Sequence, residues 1–176
     1  QLTLAGDEAA LQRLAAHGRA EGRFARLLPL DYAFHSRAMD PIRTDLLARL
    51  DGLTGQPARC RFLSSVTGGP LDGTGLDADY WWRNVREPVA FETATRAILD
   101  AGGNILVEIG PEAILQRYLK QTAEAAGVET GIIPTLRRSA PDRAAITAAA
   151  SRVHLLAGPR TARHCVPEKA PTQALP

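Results

Sequence analysis

The chain has little with which to cross-link itself or bind a metal. Its 176 residues include two cysteines, Cys60 and Cys165, far apart and without metal-ligand spacing. They read as free thiols in a reducing cytoplasm, and although a disulfide between them stays open, nothing argues for one. Long hydrophobic runs are also missing, the longest falling far short of the ~20 residues that span a bilayer. No basic-then-apolar segment opens the chain and residue 1 is Gln, not Met, so the start reads as a cut. No Gly-x-Ser-x-Gly occurs anywhere, which leaves the chain without the strained elbow that exposes a nucleophilic serine. Aromatic residues are only 5% of the chain, and the basic end lacks the interleaved aromatics of a single-strand nucleic-acid surface.

What remains describes an α/β protein. Hydrophobic residues are 45% and charged residues 23%, enough for a real core. The net charge of +2 hides an asymmetry: residues 1–132 carry 14 basic and 17 acidic side chains, residues 133–176 carry 7 and 2. A basic tail of this kind is a solvated linker or attracts an acidic partner. Asp7 caps a helix with Ala10, Leu11, Leu14 and Ala15 at helical spacing, between β-leaning Leu2–Ala5 and a strand from Phe24 to Phe34, so the opening reads β-α-β. Pro41 starts a helix with a stripe of Ile42, Leu46, Leu47 and Leu50 that Gly52 ends. Arg61–Thr67 reads as a strand, Gly68–Gly75 as a loop, Pro88–Asp100 as a helix, Ile105–Ile109 as a buried parallel strand, and Gly131–Pro134 as a short one. Asp142–Leu156 has the composition of an Ala-rich helix, and the proline-bearing residues after Gly158 read as poorly ordered linker.

Within this pattern one histidine stands out. Leu28–Phe34 is apolar apart from Asp31 and ends at His35-Ser36, and a Met39-Asp40-Pro41 turn signal follows. A strand that delivers a His to a strand-to-helix junction suits a general base, although a lone His among apolar residues is more often structural. Tyr32-Ala33-Phe34-His35-Ser36 with Met39-Asp40-Pro41 resembles the histidine motif of acyltransferase domains of modular polyketide synthases, relatives of malonyl-CoA:acyl-carrier-protein transacylase. Tyr80–Phe91 (Tyr-Trp-Trp-Arg-Asn-Val-Arg-Glu-Pro-Val-Ala-Phe), Val107-Glu108-Ile109-Gly110-Pro111 and Pro134-Thr135-Leu136-Arg137-Arg138 agree in order and spacing. Together they cover most of residues 1–138 and resemble the later part of such a domain.

The resemblance implies the C-terminal part of an α/β-hydrolase-like acyltransferase domain. Residues 1–36 would end a ferredoxin-like small subdomain, 37–136 would belong to the large subdomain, and 137–176 would be a partly disordered linker. It implies an activity: loading a malonyl-type unit from CoA onto an acyl carrier protein through an acyl-serine. His35 maps onto the general base, and Asn84 onto the residue whose main-chain carbonyl orients it. Tyr32 and Phe34 map onto the pocket for the extender's α-substituent. Tyr-Ala-Phe-His is a hybrid of the methylmalonyl and malonyl patterns, and the bulk of Phe34 favours malonyl. One methyl is worth only about 1–3 kcal/mol of discrimination. No cofactor is implied for this chain; the acyl-CoA and the phosphopantetheinyl carrier protein are substrates. Implied partners are the carrier protein, the ketosynthase and linker region of the same synthase, and the N-terminal half of the domain. No nucleic acid or membrane is implied.

Some features depart from the family. The elbow serine, the oxyanion donors and the carboxylate-binding arginine belong to a segment upstream of these motifs, and Glu112-Ala113 replaces the usual His-Pro. The chain alone is therefore expected to be inactive. The rival reading is a non-catalytic remnant or an interaction module for a carrier protein or ketosynthase. A free-standing hydrolase using Ser36, Ser64 or Ser65 is disfavoured, because none sits in an elbow. His17, His154 and His164 are assigned no role.

Overall fold

A computed structural model of the chain describes residues 2–136 and 142–158. Arg137, Arg138, His164, Cys165 and the linker after Gly158 lie outside the described residues. The chain forms two compact units, residues 1–97 and 98–176, divided within a helix.

In the first unit, helix α1 (Glu8–Ala20) starts where the Asp7 carboxylate accepts from the backbone N–H of Ala10 at 2.8 Å, so the expected cap is present. The strands expected on either side are not. Among the described residues neither Leu2–Ala5 nor Phe24–Phe34 pairs with another strand. A strand exists only through partners for its backbone groups, and Pro29 removes one donor from the second segment. Phe24 is 85% exposed, and Leu28, Leu30 and Tyr32 are exposed with it. The β-α-β opening is therefore replaced by one capped helix and an extended apolar segment that leads to His35.

A 3₁₀ turn (Arg37–Ile42) follows, capped by Ser36, and helix α2 (Arg43–Arg49) continues from it. Pro41 lies inside the 3₁₀ turn instead of opening the helix. The strand expected over Arg61–Thr67 shortens to β1 (Phe62–Leu63), paired antiparallel with β2 (Pro70–Leu71), which lies inside the expected loop. Ser64 closes their turn: its side chain is wholly buried, and its Oγ accepts from the backbone N–H groups of Val66 and Thr67 and bonds Tyr80 Oη at 3.0 Å. Helix α3 (Ala78–Arg86) is capped by Asp77 and buries Tyr80 and Trp82. Helix α4 (Phe91–Asp100) carries the chain into the second unit.

The second unit is built on parallel strands β3 (Ile105–Glu108) and β4 (Gly131–Pro134), joined through helix α5 (Gln116–Ala125). Helix α6 (Asp142–Ala157) forms as its composition predicts and packs on β4, where a Cβ at Gly131 would meet a methyl of Leu156. Strand β3 was expected to be buried on both faces. Instead it alternates, with Leu106 and Glu108 buried and Val107 exposed, so only one face is covered. Ile133, 1% exposed, is the best buried residue of the unit, a burial worth about 1.5–3 kcal/mol.

Candidate functional site

His35 is the only non-glycine residue with positive φ among the described residues, at 63°. This left-handed conformation is costly for a side chain with a Cβ and persists only where surrounding contacts enforce it. Two contacts do so here. The backbone N–H of His35 donates to the carbonyl of Val85 at 2.8 Å, and Nδ1 lies 2.8 Å from the carbonyl oxygen of Glu87. Both acceptors belong to the C-terminal end of α3, where carbonyls run out of helical donors. Ser36 steadies the other side: its Oγ donates to the carbonyl of Ala33 at 2.8 Å and accepts from the N–H of Ala38.

The tautomer follows from the partner. A carbonyl can only accept, so Nδ1 carries the proton and Nε2 the lone pair. His35 is exposed, so the lone pair sits on an accessible ring. Hydrogen bonding to an uncharged oxygen fixes the ring without placing a full negative charge beside it.

The orienting carbonyl is that of Glu87, not of Asn84 as expected. Asn84 lies inside α3, where carbonyls point along the helix axis. Glu87 precedes Pro88, which excludes it from the α region, and it adopts φ −83° and ψ 156°. That turn swings its carbonyl out of the helical ladder towards His35. The signal was present in the sequence as the Glu-Pro step.

Tyr32 and Phe34 come together beside the His35 ring. Their ring centroids are 4.3 Å apart, and Phe34 meets the imidazole edge-on at 6.3 Å. Both rings are exposed instead of packed as ordinary strand residues. Of the three candidate serines, Ser36 is used as a cap, Ser64 is buried in its turn, and Ser65 accepts through its carbonyl from the N–H of Ala90 at 2.6 Å.

Three side-chain arrangements escaped the sequence reading. Asp40 and Arg86 form an ion pair between the His35 turn and the end of α3. The Glu87 carboxylate accepts from Arg83 Nε at 3.1 Å, and this bond holds the guanidinium pKa above its ordinary value. In the second unit, Glu108 is buried and its Oε1 accepts from the N–H groups of Ile114 and Leu115 at 2.7 and 2.8 Å, capping α5 from the end of β3. Among the described residues, Oε2 has no partner, no group of three His, Cys, Asp or Glu could hold a metal, and no helix is long and apolar enough to cross a membrane.

Comparison with known proteins identifies the family. The family profile described as acyl transferase domain matches residues 1–160. The spectinabilin polyketide synthase system protein NorA of Streptomyces orinoci is 38% identical over 176 residues, covering 97% of this chain and 9% of that protein. The polyketide synthase GfsB of Streptomyces halstedii is 43% identical over 145 residues, covering 81% of this chain and 3% of that protein. Among solved structures, the acyltransferase domain from module 8 of the salinomycin polyketide synthase superposes with a TM-score of 0.78 at 37% identity, over 85% of this chain and 36% of that one. The malonyl-CoA:acyl carrier protein transacylase of Xanthomonas oryzae shares the fold, with a TM-score of 0.66 at 21% identity, over 83% of this chain and 44% of that one. The chain thus spans under a tenth of these curated relatives and roughly a third to a half of these solved chains.

Proposed function

Since the chain belongs to the acyl transferase domain family of polyketide synthases, we propose that it supplies the base-bearing part of an enzyme that loads a malonyl-type unit from CoA onto an acyl carrier protein. The observation that carries this reading is the Nδ1 contact of His35 with the Glu87 carbonyl, which leaves Nε2 free to accept a proton.

The reaction uses the base twice. A serine hydroxyl attacks the thioester carbonyl of the acyl-CoA while Nε2 of His35 takes its proton. The tetrahedral intermediate collapses, the C–S bond breaks, and the imidazolium returns the proton to the CoA thiolate. The thiol of the carrier's phosphopantetheine then attacks the acyl-serine and gives its proton to Nε2. Collapse breaks the C–O bond, and the proton goes back to the serine. A thioester is already activated, so a base oriented by a neutral carbonyl suffices. The nucleophile and the oxyanion donors come from a segment that these residues do not contain, so the chain by itself transfers no acyl group.

Phe34 lies edge-on to the imidazole and Tyr32 packs against Phe34, and both would line the pocket for the α-substituent of the acyl unit. The bulk of Phe34 favours an unsubstituted malonyl unit over methylmalonyl. Residues 1–36 then end the small subdomain, 37–136 belong to the large one, and 137–176 are the linker after the acyltransferase domain. The carrier protein and the ketosynthase region are then its partners.

Complementation tests the proposal. The chain is combined with the serine-bearing half of a related domain, and serine acylation from labelled malonyl-CoA is measured. His35→Ala should slow acylation by roughly 10²–10⁴-fold. Acylation that is indifferent to the substitution removes His35 from the base role.

A further inference from the structure

The turn that bears His35 and the end of α3 are joined by more than the hydrogen bonds of the histidine itself. Asp40 sits in the 3₁₀ turn that Ser36 caps, and it pairs with Arg86, the last residue of α3. Arg86 falls between Val85 and Glu87, the two residues whose carbonyls hold His35. Three residues beyond Asp40, the guanidinium of Arg43 lies 5.9 Å from the centroid of the Trp82 ring on the same helix. The Glu87 side chain is drawn back along α3 to Arg83 and so takes no part in the contact with the imidazole.

An ion pair whose side chains are 26% and 53% exposed adds little to stability. Its placement does something else. A carbonyl orients an imidazole only while donor and acceptor stay within a few tenths of an ångström of hydrogen-bond distance. The two groups concerned sit on segments 52 residues apart in sequence, and Asp40–Arg86 ties those segments together next to the contact.

We propose that Asp40 and Arg86 form a positioning pair that keeps the Glu87 carbonyl on Nδ1 of His35 and thereby keeps Nε2 the free base. This rests on His35 being the base; neither Asp40 nor Arg86 touches the acyl group.

The test uses the 176-residue chain with ¹⁵N-labelled histidine, since ring ¹⁵N shifts distinguish the two tautomers. Asp40→Asn and Arg86→Gln should each lower the ratio of Nδ1–H to Nε2–H tautomer at His35 by about fivefold, the equivalent of one ordinary hydrogen bond. The reversed pair, Asp40→Arg with Arg86→Asp, should restore it. In the complemented enzyme the single variants should lower kcat by roughly tenfold and leave KM unchanged. A role in folding alone would shift the melting temperature and leave the tautomer ratio where it was, and that result overturns the proposal. If Asp40→Asn does not fold, Arg86→Gln breaks the same pair from the other side, and an unchanged ratio there is equally fatal. If the ratio moves while His35→Ala leaves acylation intact, the positioning pair stands and the base assignment falls.

Discussion

The imidazole Nδ1 of His35 and the main-chain oxygen of Glu87 are 2.8 Å apart, although 52 residues separate them in sequence. Glu87 contributes to this contact through its backbone, and its side chain is turned to Arg83. The residue type at 87 therefore matters less than the proline after it.

That difference gives the first prediction. Pro88 bars Glu87 from the helical region and supplies no N–H to the carbonyl of Asn84, four residues back. Pro88→Ala lifts both restraints, lets α3 run on, and returns the Glu87 carbonyl to the helical ladder. Acylation by the complemented enzyme should fall about 10–100-fold, because a displacement of one ångström at a catalytic group costs that much. Glu87→Ala and Asn84→Ala keep the backbone and should change the rate by less than about threefold. Equal effects from Pro88→Ala and Glu87→Ala would contradict the backbone assignment.

The second prediction concerns the left-handed backbone of His35, φ 63°. A non-glycine residue in this region carries a conformational cost of about 1–2 kcal/mol, which glycine does not. Both His35→Ala and His35→Gly lose the Nδ1 contact, but only the alanine keeps the cost. Urea unfolding should find the glycine variant more stable than the alanine variant by about 1 kcal/mol. The opposite order would mean that the turn relaxes once the ring is gone.

How far the sequence could show these features varied with the kind of interaction. Caps are local, so Asp7 was readable as the start of the helix it begins. The Ala-rich helix after Asp142 depends on intrinsic propensity and formed within one residue of its expected end. The run Phe24–Phe34 has strand composition, but strand formation depends on a partner, and none is found among the described residues. His35 was legible through its motif. Its φ was not, because only glycine advertises a left-handed position, and the acceptor was misplaced by three residues because Pro88 was read only as a helix start and not as a constraint on Glu87. The ion pair Asp40–Arg86 joins distant segments and has no local pattern.

The third prediction is about acid. Asp72 accepts from the backbone N–H and the hydroxyl of Thr74, at 3.0 and 2.8 Å, and these bonds hold its carboxyl below the ordinary 3.8. Because the folded pKa is lower than the unfolded one, the resulting stability is fully present above about pH 4 and disappears as pH falls through the folded value. Asp72→Asn should therefore be less stable than the parent at pH 7, and the gap should close as pH drops below 3.8. A gap that stays constant down to pH 2 would show that the carboxylate charge is not what the turn uses.

The last prediction belongs to the second unit. Helix α5 has no side-chain cap from Leu115; the backbone N–H groups of Ile114 and Leu115 are satisfied instead by Glu108 Oε1, from the end of β3. The Glu108 carbonyl in turn accepts from both the N–H and the hydroxyl of Thr135 at 3.0 Å, so one residue ties the start of α5 to the ends of β3 and β4. Glu108→Ala strips two N–H groups of their acceptor and leaves a void, which should cost about 2–4 kcal/mol in thermal or urea unfolding. Glu108→Gln keeps a carbonyl oxygen for both donors and should cost less than about 1.5 kcal/mol. If the two variants lose the same amount, the negative charge at the start of α5 holds this junction, and the hydrogen-bond geometry does not.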